Sequence, residues 1–90
     1  NDGIAIGVLR ALREAGVPTP GEAAVGGWGD SRFAGFAELT TVNVPMSDIG
    51  RQAAVLLYNQ INAKKANVAG NCIVLDTSLS VRRSSGKALV

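Results

Sequence analysis

The amino-acid sequence predicts an α/β fold with a mostly parallel sheet. Two observations lead to this prediction. Stretches whose apolar residues recur at helical spacing alternate along the 90 residues with short apolar or β-branched runs, and glycine or proline separates most of them. The resulting order is helix, strand, loop, strand, helix, strand, which is typical of sheets whose strands are connected by helices.

The first helix is predicted over residues 3–15. Its apolar positions are Ile4, Ala5, Val8, Leu9 and Leu12. Asn1 or Asp2 precedes this pattern and could accept hydrogen bonds from the free N–H groups of the first turn. Gly16 can adopt the left-handed conformation that ends many helices, and Pro18 prevents the helix from continuing.

Two strands are predicted on either side of a polar and aromatic loop. The first covers residues 22–25 and the second covers residues 39–44, where β-branched residues are frequent. The loop between them, residues 28–38, begins with W-G-D-S-R and includes one predicted helical turn at residues 31–34. In an open α/β sheet, ligands bind beyond the carboxyl ends of the strands, so this loop is a candidate pocket.

The second half of the chain is predicted to form another helix and a final strand. Ser47 is the expected N-cap of this helix, and Asp48 lies in its first turn, where the helix dipole favours a negative charge. A polar connector over residues 63–71 follows, and alternating apolar and polar residues predict a strand over residues 72–82. Residues 84–90 are expected to be a loose tail.

The composition favours a packed protein that does not contact nucleic acid through these residues. Hydrophobic residues make up 47% and charged residues 18% of the chain, unlike the composition of disordered segments. The net charge is only +2 and the basic residues are scattered, whereas a nucleic-acid surface requires a basic patch. No window of about 18 residues is uniformly apolar and no export signal opens the chain, so no membrane segment is predicted.

The sequence contains no histidine and a single cysteine. Ser-His-Asp and Cys-His catalysis cannot be built from these residues, and no catalytic residue, metal site or cofactor is predicted. Cys72 has no partner for an internal disulfide, which is compatible with a reducing compartment. Its neighbours Ile73 and Val74 favour a buried, unreactive thiol.

Six segments of the sequence resemble those of one known family. They are N-D-G-I-A-I-G-V-L-R-A-L, G-V-P-T-P-G, A-V-G-G-W-G-D, L-T-T-V-N-V-P, D-I-G-R-Q-A-A-V-L-L and L-S-V-R-R-S-S. In this order and at nearly the family's spacing, they resemble the C-terminal part of the LacI/GalR family of bacterial transcriptional regulators. The resemblance extends over nearly the whole chain.

The resemblance implies a type I periplasmic-binding-protein-like fold, with parallel-sheet layers in two subdomains and a ligand in the cleft between them. The chain would then be a C-terminal fragment of that domain. Residues 1–42 and 72–90 would belong to the C-terminal subdomain, and residues 43–71 to a crossover and a helix of the N-terminal subdomain. The DNA-binding domain of the family would lie outside this sequence.

The resemblance also implies an effector site that departs from the usual family pattern. Asn1 matches a position that often contacts the effector. Gly29 matches the first acidic residue of the motif G-F/Y-D-D, whose carboxylate typically accepts hydrogen bonds from sugar hydroxyls. The form G-x-G-D is similar to that of gluconate-type repressors. The effector chemistry is therefore expected to shift toward anions, with Asp30 in another role and Arg32 as a candidate partner of a carboxylate.

Each candidate effector residue also has a purely structural interpretation. Trp28 either stacks on a sugar ring or packs in the floor of the cleft, and packing is favoured. Asn1 either contacts the effector or only caps the first helix, and Asp30 either holds a ligand or caps the turn that follows it. For Arg32, a surface or interlobe salt bridge is favoured over an effector contact.

A second surface role is implied for the first helix, because its family counterpart lies at the dimer interface of the C-terminal subdomain. The candidate interface residues are Ile6, Leu9, Arg10 and Arg13. The alternative is an ordinary amphipathic helix without a partner chain.

Together these observations predict the effector-sensing domain of a cytoplasmic LacI-family regulator that is not an enzyme. A small sugar or sugar acid would bind between the lobes and change the affinity for operator DNA, which a homodimer would contact through a domain outside this sequence. The alternative is a periplasmic solute-binding protein of the same fold. An α/β enzyme is a third class, which the missing nucleophile, base and metal ligands disfavour.

Overall fold

The computed structural model describes residues 1–63 and 72–86. Its elements in chain order are α1 (Asp2–Glu14), β1 (Gly26–Gly29), α2 (Arg32–Phe36), β2 (Thr40–Asn43), α3 (Met46–Asn62), β3 (Ser78–Ser80) and a short 3-10 helix (Arg83–Ser85). The chain divides into two compact units. Unit 1 is formed by Asn1–Val44 with Thr77–Val90, and unit 2 is formed by Pro45–Asp76.

The strands of unit 1 form one sheet in the order β1-β2-β3. β1 and β2 are parallel, with Gly29 opposite Asn43 at their carboxyl ends. β3 is antiparallel to β2, with Ser80 opposite Thr41. The predicted α/β class with parallel strands is confirmed, and β3 adds one antiparallel pair to it.

Helix α1 lies within one residue of its predicted range at each end. Asn1 is the N-cap, and its side-chain Oδ1 accepts a hydrogen bond from Ile4 N at 3.0 Å. At the other end Gly16 has a φ of 72°, and Val17 N donates to Leu12 O at 2.9 Å. A left-handed glycine of this kind ends the helix at little steric cost, because it has no Cβ.

The core of unit 1 is small and combines two helices with the segment that leads into β2. It contains Ala5 from α1, Ala34 from α2 and Leu39, and the latter two have no exposed surface. The partly buried residues Ile6, Leu9, Val25 and Ala37 pack against this core. Two of the three core residues are alanines, which allows the helices to approach the sheet closely.

The strand predicted over residues 22–25 is wrong, because pairing with β2 begins only at Gly26. Val25 N instead donates to Ser84 O at 2.9 Å, outside the β1–β2 pair. The apolar run that ends at Val25 therefore precedes β1. The strand itself has the sequence G-G-W-G.

Gly27 explains why a glycine-rich segment occupies this position in the sheet. A Cβ added there would collide with Asp2 Oδ1 and lie 3.0 Å from Leu39 Cδ2. The first turn of α1 thus approaches β1 too closely for any side chain at this residue.

The strand predicted over residues 72–82 is also wrong over most of its length. Only Ser78–Ser80 pair with β2, whose own length is four residues. Alternating residues favour an extended chain, but a strand also requires a neighbour with which to pair. Cys72 is exposed, so the prediction of a buried thiol is wrong as well. Most of the predicted connector at residues 63–71 lies outside the described residues.

Helix α3 belongs to unit 2 and begins two residues earlier than the predicted N-cap would allow. Met46 is its first residue and Pro45 is the N-cap, so Ser47 does not cap the helix. Asp48 forms an exposed ion pair with Arg51 in the first turn. Three apolar residues that recur at helical spacing along α3 are exposed, namely Ile49, Leu57 and Ile61. Within the described residues no helix is both long and apolar enough to cross a membrane.

Candidate functional site

The candidate site lies where β1 ends and the chain turns toward α2. Gly29 has a φ of 122° and the next residue, Asp30, has a φ of 52°, so two consecutive residues adopt left-handed conformations. The chain consequently folds back over β2, and Asp30 N donates to Thr41 Oγ1 at 3.1 Å. We call residues 28–31 the β1–α2 turn.

The Asp30 carboxylate is bound by side chains from both neighbouring strands and their extensions. Oδ2 accepts hydrogen bonds from Asn43 Nδ2 at 2.9 Å and from Ser80 Oγ at 3.2 Å. Oδ1 accepts one from Arg82 Nη1 at 3.0 Å. We call these four residues the Asp30 cluster. Both oxygens are therefore already used by donors of the same chain.

Arg82 is anchored at its backbone as well as at its guanidinium. Its N–H donates to Thr40 Oγ1 at 2.7 Å, and its carbonyl accepts from the same hydroxyl at 2.9 Å. Nη1 donates to Leu39 O at 2.9 Å in addition to Asp30. The contacts with Thr40 and Leu39 therefore orient the guanidinium independently of the Asp30 carboxylate.

A second carboxylate, that of Asp2 in α1, is hydrogen-bonded to the β1–α2 turn. Asp2 is 3% exposed, and its Oδ1 accepts a hydrogen bond from Thr41 Oγ1 at 2.7 Å. Its Oδ2 accepts one from Ser31 N at 2.6 Å. Because Thr41 Oγ1 also accepts from Asp30 N, this hydroxyl connects the two aspartates through one atom.

Both aspartates have a lowered pKa. Hydrogen bonds from Asn43 and Arg82 hold the pKa of Asp30 below its ordinary value, against the opposing effect of burial. For Asp2, burial is the largest single influence and acts to raise the pKa, but the hydrogen bonds from Thr41 and Ser31 together outweigh it. Both groups are therefore ionised at neutral pH, and the charge of Asp30 is balanced by Arg82.

Ser84 connects the segment before β1 with the start of β2 through hydrogen bonds. Its hydroxyl donates to Val25 O at 2.6 Å and accepts from Thr40 N at 2.8 Å, while its own N–H donates to Glu38 O at 3.0 Å. The residue is 4% exposed. The expectation of a loose tail is therefore wrong for residues 84–86, and residues 87–90 lie outside the described part of the chain.

The predicted effector residues occupy distinct positions around the β1–α2 turn. Trp28 is 58% exposed, so its indole is not part of the core of unit 1. Gly29 has open space where a Cβ would be, with no atom within 4 Å. Asn1 caps α1, as one of its two interpretations expects, and contact with an effector stays a prediction.

Arg32 and Asp30, although close in sequence, are not paired with each other. The Arg32 guanidinium lies 5.2 Å from the centroid of the Phe33 ring, in the geometry of a cation–π contact. The arginine that binds Asp30 is Arg82. Asp30 therefore does not simply cap the following turn, because its carboxylate joins residues far away in sequence.

Sequence reasoning did not single out several residues of the site. They are Asp2 as a buried carboxylate, Thr41, Asn43, Ser80, Arg82 and Ser84. The segments L-T-T-V-N-V-P and L-S-V-R-R-S-S, which contain five of the six, carried the only available signal. Their polar residues face each other only after β2 and β3 pair.

The four predicted interface residues of α1 line one groove on unit 1. The groove has a volume of about 540 Å³ and is completed by residues 16–19 and by Ala37, Glu38, Arg83 and Ser84. We call it the α1 groove. At its rim Arg83 Nη1 lies 3.8 Å from Glu38 Oε2, and both side chains are exposed. The groove is separate from the residues of the Asp30 cluster.

A metal site is not apparent in the part of the chain that the structure describes. No three histidine, cysteine, aspartate or glutamate side chains of those residues come together. Asp2 and Asp30 are instead surrounded by hydrogen-bond donors of the protein.

Comparison with known proteins identifies the class to which this fold and turn belong. The family model described as "Periplasmic binding protein-like domain" matches residues 1–85. The crystal structure of a transcriptional regulator of the LacI family from Burkhoderia phymatum is similar with a TM-score of 0.76 and 27% identity. The match covers 97% of this chain and 31% of that one.

Curated relatives narrow the class further. The HTH-type transcriptional repressor MelR of Bacillus subtilis is 36% identical over 96% of this chain, which spans 25% of that protein. The lactose operon repressor of Rhizobium radiobacter is 35% identical over 97% of this chain, which spans 76% of that sequence. The chain thus spans about a quarter of the length of MelR and three quarters of the second relative.

The chain belongs to the LacI/GalR family of transcriptional regulators, as part of its periplasmic-binding-protein-like effector-binding domain. The relatives are named as repressors and regulators of transcription. Their names confirm the prediction that the chain is part of a regulator and not of an enzyme.

Proposed function

We propose that the chain is the effector-sensing part of a cytoplasmic regulator, in which a small molecule bound beside the β1–α2 turn alters the binding of operator DNA by the whole protein. The observation that carries this proposal is the turn itself. An exposed indole and an open glycine lie at the carboxyl end of a parallel strand, where α/β sheets bind ligands. The names of the relatives favour a transcriptional regulator over a solute receptor.

We infer that the effector is a sugar acid, in preference to a neutral sugar. A neutral sugar requires acceptors for its hydroxyl groups, but three of the about four acceptor positions of the Asp30 carboxylate already bind donors of the chain. Gly29 supplies no side chain in place of the first carboxylate of the motif G-F/Y-D-D, which this position resembles. Arg32 is an exposed cation two residues after Asp30 and can pair with a carboxylate of the ligand.

The division of the chain supports the proposed assignment to subdomains. We assign residues 1–42 and 72–90 to the C-terminal subdomain and residues 43–71 to the crossover and a helix of the N-terminal subdomain. The boundaries between unit 1 and unit 2 lie close to those of the proposed subdomains, since the first segment of unit 1 ends at Val44 and its second segment begins at Thr77. An effector that binds better to one arrangement of two subdomains shifts the equilibrium toward it.

We also propose that a second copy of the chain docks on the α1 groove to form the homodimer that contacts operator DNA. Ile6, Leu9, Arg10 and Arg13 lie along one side of this groove. Its mixture of apolar floor and exposed arginines is typical of protein interfaces, which enrich arginine and exclude water from an apolar centre.

A thermal-shift experiment on the intact regulator tests the effector class. D-gluconate is expected to raise Tm, because a ligand present at about 100 times its Kd stabilises the native state by about 2.7 kcal/mol. D-glucose and D-galactose serve as neutral comparators at the same concentration. A shift with either neutral sugar and none with gluconate would show that the assignment to sugar acids is wrong.

Two arginine variants control for general effects of charge. Arg32→Gln should weaken gluconate binding about tenfold or more, since it removes a charge-assisted hydrogen bond. Arg83→Gln removes another exposed arginine, at the α1 groove, and should leave gluconate binding unchanged. Equal losses in both variants would indicate a nonspecific effect of net charge and would contradict a role for Arg32.

A further inference from the structure

We propose that Arg82 is a positioning residue that acts through Asp30 and links the β1–α2 turn to the strands β2 and β3. The proposal rests on the proposed function, because that function is what makes the turn face an effector. Arg82 itself does not contact the ligand in this proposal. Its task is to make the conformation of the turn depend on the conformation of the two strands.

The first support is the identity of the groups that Asp30 binds. Asn43 is the last residue of β2, and Ser80 is the last residue of β3. Val44, the next residue after β2, ends the first segment of unit 1, and β3 begins one residue after Thr77, where unit 1 resumes. Asp30 therefore joins the turn to β2 next to Val44, where the first segment of unit 1 ends, and to β3 three residues after Thr77, where unit 1 resumes.

The second support is the backbone conformation of the turn. Asp30 has a φ of 52° and follows Gly29 with a φ of 122°. This left-handed conformation is less favourable than right-handed or extended backbone for a residue with a side chain, although Asp adopts it more readily than most. Thr41 Oγ1 holds the Asp30 backbone, and Asn43, Ser80 and Arg82 hold its carboxylate. Loss of these bonds should release the turn.

The third support is the environment of the ion pair. The Asp30 and Arg82 side chains are 14% and 28% exposed, whereas the neighbouring pair of Glu38 and Arg83 is 62% and 72% exposed. Solvent and salt screen the exposed pair much more strongly. Only Arg82 also binds a backbone carbonyl, that of Leu39. The shielded pair can therefore transmit a displacement that the exposed pair cannot.

The consequence is a short physical path from the turn to the strands. A ligand that displaces Trp28 or Gly29 also displaces Asp30. Asp30 can move only if its hydrogen bonds to Asn43 and Ser80 break or if these two residues move with it. Coupling of this kind requires contiguous contacts between groups that have defined arrangements. The cluster supplies four such groups within hydrogen-bonding distance.

Hydrogen–deuterium exchange of the intact regulator without ligand tests this link. In Asp30→Asn and Arg82→Gln, exchange of peptides covering residues 28–31, 40–43 and 78–82 should rise together by about tenfold. The double variant should rise no further than either single variant, because both remove the same link. Exchange in α1 should rise less than in these peptides, whereas a merely global loss of stability would raise exchange in all of them equally.

Two further variants complete the experiment. Arg82→Lys keeps the charge and should restore part of the protection, and it provides a milder change if Arg82→Gln does not fold. Arg83→Gln, the matched control, should leave all these peptides unchanged. The proposal is overturned if the turn loosens without β2 and β3, if α1 loosens equally, or if the single effects add.

The experiment separates this proposal from the assignment of the effector. No ligand is present, so coupled exchange supports the link whether or not gluconate binds. A failure of gluconate to raise Tm would contradict the proposed effector class alone.

Discussion

Two regions of unit 1 use their charged residues in different ways. In the Asp30 cluster the carboxylate and guanidinium are largely shielded, and each makes further hydrogen bonds within the chain. Around the α1 groove, the ion pairs Arg10–Glu14 and Arg83–Glu38 are exposed on both sides. Shielded charges set the conformation of the backbone that carries them, whereas exposed charges remain accessible to a partner.

Arg82 and Arg83 show this difference between adjacent residues of the same type. Arg82 has extended backbone and Arg83 begins the 3-10 helix, and the two side chains reach different partners, Arg82 reaching Asp30 and Arg83 reaching Glu38 at the α1 groove. The two arginines therefore offer a direct comparison in which residue type and sequence position are nearly constant.

The largest expected effect comes from removing the hydroxyl that holds the backbone of Asp30. Thr41→Val removes the hydroxyl shared by Asp2 and Asp30 N and leaves a buried carboxylate short of a donor, so stability should fall by about 3 kcal/mol. Urea denaturation of the intact protein measures the loss. Thr19→Val beside the α1 groove is the matched control and should change stability by less than about 0.5 kcal/mol. Equal losses would contradict the distinction between the two regions.

Removing the charge of Asp30 should have the next largest effect. Asp30→Asn leaves Arg82 without its carboxylate in a mostly shielded position, and an expected loss of about 2 kcal/mol should appear in the same denaturation assay. Asp48→Asn removes the carboxylate of the exposed pair in α3 and should cost less than about 1 kcal/mol. A larger loss in Asp48→Asn than in Asp30→Asn would show that shielding does not decide the outcome.

Acid should lower the stability that the ionised side chains of Asp2 and Asp30 contribute to the folded protein. The pKa values of Asp2 and Asp30 are lowered in the folded protein, so the unfolded chain binds their protons more strongly. The stability they contribute is present above the ordinary aspartate value near 3.8 and is lost as the pH falls through the lower folded values. Urea midpoints measured from about pH 6 to about pH 3 should fall less steeply in Asp30→Asn than in the unmodified protein. Parallel profiles would contradict the lowered pKa of Asp30.

A charge reversal at the groove should affect association more than folding. Arg13→Glu places an acidic side chain on the proposed dimer surface and should raise the dimer dissociation constant about tenfold, as measured by analytical ultracentrifugation. Its melting temperature, extrapolated to low protein concentration, should stay close to that of the unmodified protein. Arg51→Glu in unit 2 is the control for net charge and should leave the dissociation constant unchanged.

The smallest effect is expected for the exposed pair at the groove. Arg83→Gln should change stability by less than about 0.5 kcal/mol, because a solvated ion pair contributes little. A loss as large as that of Asp30→Asn, in the same urea assay, would remove the contrast between the adjacent arginines.

The sequence by itself determined the elements whose signals are local. Helical spacing, an N-capping asparagine and a terminating glycine placed α1 within one residue at each end. The β-branched run placed β2, and six ordered segments placed the chain in its family. These signals depend on residues close to one another in the chain, where propensity and capping act directly.

The position of β1 and the contacts of Asp30 were decided only by the tertiary structure. Gly27 became part of a strand because the first turn of α1 lies against it, which no local pattern expresses. Asp30 meets Arg82 across 52 residues of sequence and Ser80 across 50. Such pairs form only after the strands associate, because each carboxylate takes its donors from whichever chain segments packing brings beside it.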